Sequence, residues 1–332
     1  MRVAGGVDVA EQPDPKPRPD EVVVAVHSCG ICGSDVHGVE ANIGGVGGIP
    51  GHEFSGTIAE LGSAVTGWHV GQPVAVNPLG GCGACDPCQR DMPIRCAARP
   101  NLGLNAPGGF AEYVAVPYAQ LLALPDALPV EYGSRVEPLA VALRAVVDAQ
   151  PAPGDNAIVL GVGPIGLHLI LVLRALGAGT IVAVGRASVG RREAAAACGA
   201  DVVLDSRTIN VVDYVRDSGL DVAQAYECSA DPMALVHLSH AVRVGGTLAA
   251  VALGWSPSSF DTHSFVAKGQ RMFGSCAYGQ RHFARALELI ASRQVDVAPL
   301  ISECVPIAEG PSAFVRLRTP GNLVAVLVQP WR

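Results

Sequence analysis

Charge and aromatic side chains are both scarce in this chain of 332 residues: charged residues make up 16% and aromatic ones 5%. No run of lysine or arginine occurs and the formal net charge is −7. Without a basic patch to neutralise phosphates, neither nucleic acid nor an anionic membrane surface is an expected partner. Internal repeats and low-complexity tails are also missing. The first residues carry Arg2, Asp8, Glu11 and Asp14 instead of an apolar core segment, so no secretory leader is visible and a cytoplasmic location is expected. The most apolar stretch, Ala157 to Val184, is broken by Pro164, His168, Arg174 and several glycines, which divides it into short elements and excludes a membrane span. Apolar residues reach 49%, enough for a core, and the composition gives no argument for disorder. The length suggests two domains or one large one, with small molecules as clients.

Cysteine is the residue the chain does have, ten in all. In a cytoplasmic protein of this size that number points to metal binding or catalysis rather than to a disulfide framework. Cys82, Cys85, Cys88 and Cys96 fall at spacings suited to one loop wrapped around one ion. Gly80, Gly81, Gly83, Asp86 and Pro87 between and beside them let the backbone bend that tightly. A closed, tetrahedral, structural zinc site is the reading. Buried thiols, a disulfide pair and an iron–sulfur cluster remain as alternatives.

Ala157-Ile158-Val159-Leu160 has the character of a doubly buried strand, and Gly161-Val162-Gly163-Pro164-Ile165-Gly166 follows it directly. A helix from Pro164 to Leu176 and a strand from Thr180 to Val184 complete a βαβ unit. The Gly-x-Gly-x-x-Gly run thus stands in the setting that a dinucleotide fingerprint demands, although an ordinary glycine-rich turn is the alternative. Gly161 permits the tight turn, Gly163 admits the pyrophosphate and Gly166 allows close packing, with Pro164 and Ile165 opening the helix that faces the anion. Where an acid would bind the adenosine ribose, Gly185-Arg186 stands instead, followed by Ser188, Arg191 and Arg192. Arg186 and Arg191 therefore favour NADP over NAD, with Arg186 the stronger candidate and a solvated helix face the alternative for Arg191 and Arg192.

Strands near 201–204, 223–228, 247–253 and 271–278, with helices near 209–218 and 232–243, continue the alternation and predict a doubly wound parallel sheet. The N-terminal portion differs: short alternating strands such as Glu21 to Val26, glycine and proline turns, and almost no helical period before about Ser134. The expected division is a β-rich domain over 1–148, a Rossmann domain over 149–278, and a C-terminal return over 279–332. Within the first part, Cys29, Cys32, His37, His52 and Glu53 offer ligands for a second metal. Cys29 and Cys32 as a redox pair, and His52-Glu53 as a plain polar turn, are the competing readings; Asp35 reads as a loop carboxylate.

Taken together, Cys-Gly-Ser-Asp-Val-His at 32–37, Gly-His-Glu at 51–53, the four-cysteine loop, Glu137-Pro138-Leu139-Ala140 and the glycine fingerprint resemble the zinc-dependent medium-chain dehydrogenases, in the polyol branch that includes sorbitol and butanediol dehydrogenases. The resemblance implies a β-rich GroES-like catalytic domain beside the Rossmann sheet, and two zinc ions per subunit. It assigns Cys32, His52 and Glu53 to the catalytic zinc with Glu137 as an exchangeable ligand, Cys82, Cys85, Cys88 and Cys96 to the structural zinc, and Ser34 and His37 to a proton relay. The activity it implies is interconversion of a secondary alcohol and a ketone with NADP or, less favoured, NAD. An NAD-linked sugar or cyclitol dehydrogenase and a non-catalytic zinc- and nucleotide-binding sensor are the other readings. A homodimer or homotetramer, paired through the strand near Met272 to Tyr278, is implied as well. Two features depart from the family pattern: the segment before Asp8 leaves little room for a first strand and hairpin, and the loop Glu40 to Ile49 is rich in glycine, suggesting an open pocket rim. Substrate choice is expected to spread over 39–49, 102–105 and 255–260.

Overall fold

A computed structural model describes residues 2–3, 6–40, 48–186, 188–254, 256–319 and 321–332. The loop at 41–47, invoked above for the pocket rim, and Trp255, at the start of a stretch invoked for substrate choice, lie outside the described residues. Contacts divide the chain into two compact units, one of 1–140, 278–319 and 325–332, the other of 141–277 and 320–324. No helix among the described residues is long and apolar enough to cross a membrane.

In chain order the strands are β1 (Arg2–Val3), β2 (Val7–Asp8), β3 (Glu21–Gly30), β4 (Glu53–Leu61), β5 (Pro73–Val76), β6 (Tyr113–Pro117), β7 (Leu121–Ala123), β8 (Asn156–Leu160), β9 (Ile181–Gly185), β10 (Val202–Asp205), β11 (Val222–Glu227), β12 (Thr247–Ala250), β13 (Arg271–Gly274), β14 (Ile301–Pro306) and β15 (Ala325–Gln329). β1 and β2 pair antiparallel, Arg2 opposite Asp8 and Val3 opposite Val7, which corrects the expectation that the segment before Asp8 leaves little room for a first strand and hairpin. That sheet runs β14-β15-β3-β4-β5-β7, with β6 also paired to β3. Its centre is β3, whose Val22, Val24 and Val26 are wholly buried, so its β-branched run reflects burial on more than one side. The register that matters is Gly30 opposite Glu53, at the end of β3 and the start of β4. It sets the chain leaving β3, and hence Cys32, beside His52 and Glu53.

The second unit is a six-stranded parallel sheet in the order β10-β9-β8-β11-β12-β13. Ile158, Val182, Leu204, Val222, Leu238 and Leu248 form one buried cluster, each such side chain stabilising by roughly 1.5–3 kcal/mol through burial. The strand order reverses between β8 and β11, so the crevice for a ligand lies at the carboxyl ends of those two strands.

The expectation of almost no helix before Ser134 is corrected by a helix over Gly33–Glu40. Its period is faint because it is short, but its start is specified: the Asp35 carboxylate accepts from the Cys32 N–H at 3.0 Å, the return half of a capping box. Several strands are shorter than expected; β12 stops at Ala250 and β13 at Gly274.

Candidate metal and dinucleotide sites

Three side chains from two adjoining segments converge in the first unit. Cys32, His52 and Glu53 each offer a ligand atom within 4.8 Å of the others, and His52 and Glu53 are buried. Burial pushes the Cys32 thiol up, with Glu53 adding to it and His52 opposing. For His52 burial pulls the other way, but Asp35 and Cys32 more than offset it and leave the imidazole well above its ordinary value. Sulfur, nitrogen and oxygen donors in one buried cluster suit a borderline-soft cation such as zinc. The chemistry of the donor set therefore fits the metal.

Three residues around this cluster escaped the sequence reading. Asp35, read as a loop carboxylate, is buried with Oδ1 3.4 Å from His52 Nδ1, where a carboxylate fixes the orientation of a ligating imidazole. Asp35→Asn is expected to weaken metal binding at this site 10- to 100-fold and to leave the cysteine cage filled. Chelator competition reads this, and unchanged affinity would count against the role. Arg135, only 2% exposed, donates from Nη2 to Glu53 Oε2 at 2.6 Å. A buried charge pair of this kind is stable only while both partners remain. Glycine at 30 makes room for it, since a Cβ there would stand 1.7 Å from Arg135 Nη2. Tyr278 is the third: its buried hydroxyl faces Glu137 without a well-formed hydrogen bond.

Glu137 opens the helix Val136–Ala149 and is buried. It stands outside the 4.8 Å cluster but feels it. Burial raises its carboxyl to about 7, with His52 opposing and Glu53 adding. Ser34 and His37 are three apart on the helix Gly33–Glu40 and so share a face. Ser34 Oγ lies 3.5 Å from His52 Nε2, and His37 is exposed. Cys29 is wholly buried, and burial pushes its thiol well up, which argues against a redox pair with Cys32.

The other cysteines form a compact cage. Cys82, Cys85, Cys88 and Cys96 place their sulfurs within 4.8 Å of one another, around the short helix Asp86–Gln89. Cys82 Sγ and Cys88 Sγ are 4.0 Å apart. Two sulfurs bound to a tetrahedral zinc at about 2.3 Å would lie about 3.8 Å apart, whereas a disulfide needs about 2.05 Å. All ten cysteines are unbridged. N–H groups of Ala84 and Cys85 hold the Cys82 thiol down at about 6.

In the second unit each fingerprint glycine meets its own constraint. Gly161 has φ +111°, and a Cβ there would lie 2.6 Å from the Cys228 carbonyl carbon. At Gly166 a Cβ would strike the Gly161 carbonyl oxygen at 1.8 Å. Around Gly163 nothing lies within 4 Å, and it precedes the helix Pro164–Ala175 without a side-chain cap. Open space at Gly163, at the head of a helix whose first N–H groups no side chain caps, fits a pyrophosphate.

The arginines beyond β9 divide in a way that spacing did not reveal. Arg191, expected at the cofactor, donates from Nε and Nη2 to the Leu323 carbonyl at 3.0 and 2.7 Å, and Arg192 pairs with Asp205 at 3.2 Å. Arg186 is exposed. Gly185 is required there because a Cβ would lie 2.4 Å from Val162 Cγ2.

Comparison with known proteins identifies the family. Residues 18–126 match the alcohol dehydrogenase GroES-like domain and residues 164–292 the zinc-binding dehydrogenase family. The chain is 33% identical to scyllo-inosose 3-dehydrogenase of Thermotoga maritima, over 96% of this chain and 89% of that protein. Among solved structures, a zinc-binding dehydrogenase candidate from Sinorhizobium meliloti bound to NADP is 30% identical, with a TM-score of 0.91 over 99% of this chain and 98% of the other. An alcohol dehydrogenase from Escherichia coli CFT073 complexed with NADH is 26% identical, with a TM-score of 0.91 over 97% and 95%.

Proposed function

The chain belongs to the zinc-dependent medium-chain dehydrogenase family, in its polyol branch, and from that premise we propose which of its residues carry the reaction. The activity is that of a zinc-dependent, NAD(P)-linked oxidoreductase that interconverts a secondary alcohol and a ketone. Cys32, His52 and Glu53 hold the catalytic zinc, with Glu137 as an exchangeable ligand. A zinc ion held by these residues would supply Lewis acidity toward a substrate hydroxyl. The convergence of three ligand atoms beside the helix that carries Ser34 and His37 is the observation that supports this reading most. Ser34 takes the hydroxyl proton, and His37, one turn further and exposed, passes it to solvent. Arg135 holds the Glu53 carboxylate, and Asp35 holds His52. Cys82, Cys85, Cys88 and Cys96 bind the structural zinc.

The fingerprint Gly161, Gly163, Pro164, Ile165 and Gly166 receives the dinucleotide. NADP is the preferred carrier, and Arg186 carries that preference because Arg191 and Arg192 already spend their guanidinium groups within the protein. The substrate class is a polyol, vicinal diol, sugar alcohol or cyclitol. A second copy adds to the sheet edge at β13, whose Met272 is 43% exposed, to give a homodimer or homotetramer. Unbridged cysteines suit the cytoplasm.

A panel of vicinal diols, sugar alcohols and cyclitols run with each cofactor tests the activity. Within it, Arg186→Asp is expected to lower the NADP to NAD ratio of kcat/KM by about 10- to 100-fold, the worth of one charge-assisted contact to a phosphate. An unmoved ratio would remove the basis for NADP.

A further inference from the structure

Glu227, the last residue of β11, has a carboxylate that no ion pair among the described residues accounts for. It is only 5% exposed, yet no lysine, arginine or histidine bridges to it among the described residues. Its charge is met by the chain that follows. Oε1 accepts from the Ser229 N–H at 2.6 Å, the Ser229 hydroxyl at 2.7 Å and the Ala230 N–H at 2.8 Å. Ser229 Oγ in turn accepts from the Asp231 N–H at 3.1 Å. One carboxylate oxygen thus curls the segment 228–231 into a tight loop, and charge-assisted bonds of this kind are the strong ones.

Two features show that the loop is held in a particular shape. Ala230 has φ +56°, a left-handed conformation that costs an alanine roughly 1–2 kcal/mol and persists only where its surroundings enforce it. The loop also abuts the fingerprint turn. A Cβ on Gly161 would lie 2.6 Å from the Cys228 carbonyl carbon and 2.8 Å from the Ser229 nitrogen, and the Cys228 N–H donates to the Leu160 carbonyl at 2.8 Å. The Ser229 N–H that Glu227 grips is therefore the group against which Gly161 packs.

The place of this contact in the sheet gives it a meaning. β8 and β11 are neighbours at the point where the strand order reverses, and a dinucleotide lies across that point. Its adenosine half belongs over β8, β9 and β10, and its nicotinamide half over β11 and beyond. We propose that Glu227 is a positioning residue for the nicotinamide half of the cofactor: by bonding Ser229 and Ala230 it sets the wall of the crevice on that side, without touching the adenosine half. This rests on the dinucleotide reading given above.

The test compares NADPH with its adenosine half alone, 2′,5′-ADP, by titration calorimetry on the full-length zinc-loaded protein. Glu227→Ala is expected to raise the Kd for NADPH roughly tenfold, as a loop populated in the binding shape a tenth of the time would, and to leave the Kd for 2′,5′-ADP unchanged. Ser229→Ala removes one of the three bonds to the carboxylate, together with the acceptor of the Asp231 N–H, and keeps both N–H donors to Glu227. It is expected to shift NADPH alone, by roughly two- to threefold, and it decides the matter if the Glu227 variant does not fold. Equal shifts for both ligands, or none for NADPH, would overturn the proposal, since a general brace of the fold makes no distinction between halves. Failure of the unaltered protein to bind either ligand would instead overturn the NADP preference, and NADH and 5′-AMP then serve as the pair; failure with those too would overturn the dinucleotide reading, and this proposal with it.

Discussion

Cys32→Ser is expected to lower kcat/KM by at least about 1000-fold and to reduce zinc content by one ion per chain. The serine hydroxyl is a hard, weakly acidic ligand that does not replace a thiolate at neutral pH. The charge stabilisation lost with a catalytic metal is several kcal/mol, and each 1.36 kcal/mol is a factor of ten in rate. Thermal stability should change little, because Cys32 is a partly exposed residue just beyond β3 and the cysteine cage is untouched. Metal analysis and steady-state kinetics on the same preparation check both halves. A variant that loses an ion and keeps its turnover would remove the assignment of Cys32, His52 and Glu53 as the catalytic centre.

Cys85→Ser should act in the opposite way, on stability before chemistry. The cage is closed by four sulfurs, and loss of a structural metal is among the few single changes that cost more than about 4 kcal/mol. The segment 82–96 has little else to hold it: its helical pieces are the four-residue turn Asp86–Gln89, which contains no buried residue, and the three-residue turn Pro93–Arg95, which buries Pro93 alone. Local opening should precede global unfolding, so early proteolytic cleavage near residues 82–96 and a lowered Tm are the expected results. The damage should spread in one direction. Asp91, in this lobe, sits 3.1 Å from Arg281 and 3.6 Å from His282, and a Cβ on Gly279 would strike its carboxylate. Those contacts brace the start of the helix Gln280–Ala291, directly after Tyr278, which faces Glu137. Activity should therefore fall with the lobe. Full retention of Tm after zinc is lost from the cage would show that the metal there is not structural.

How much was legible beforehand depended on whether the signal was local. The βαβ unit could be read because a doubly buried strand needs a continuous β-branched run, and because the fingerprint glycines answer to contacts within the turn and its adjoining strands. The cysteine cage was equally plain, since one short loop supplies all four ligands. The helix Gly33–Glu40 went unread because eight residues are too few to display a period, and its start depends on one carboxylate reaching back to Cys32.

Arg135, Asp35 and Tyr278 illustrate the other case. Nothing adjacent to Arg135 hints at an ion pair with Glu53, 82 residues away; only the β3–β4 register and the missing side chain at Gly30 bring the two together. The same holds for Arg191, which its sequence neighbours place beside a cofactor phosphate and which the fold commits to the carbonyl of Leu323.

Ligand types, the glycines of the turn and the order of strands and helices were determined by the sequence itself, because each obeys a rule that acts over a few neighbouring residues. Which carboxylate meets which cation and which arginine stays available were decided only by tertiary structure. Burial and charge pairing depend on distance through space, and distance through space is set by the register of strands far apart along the chain.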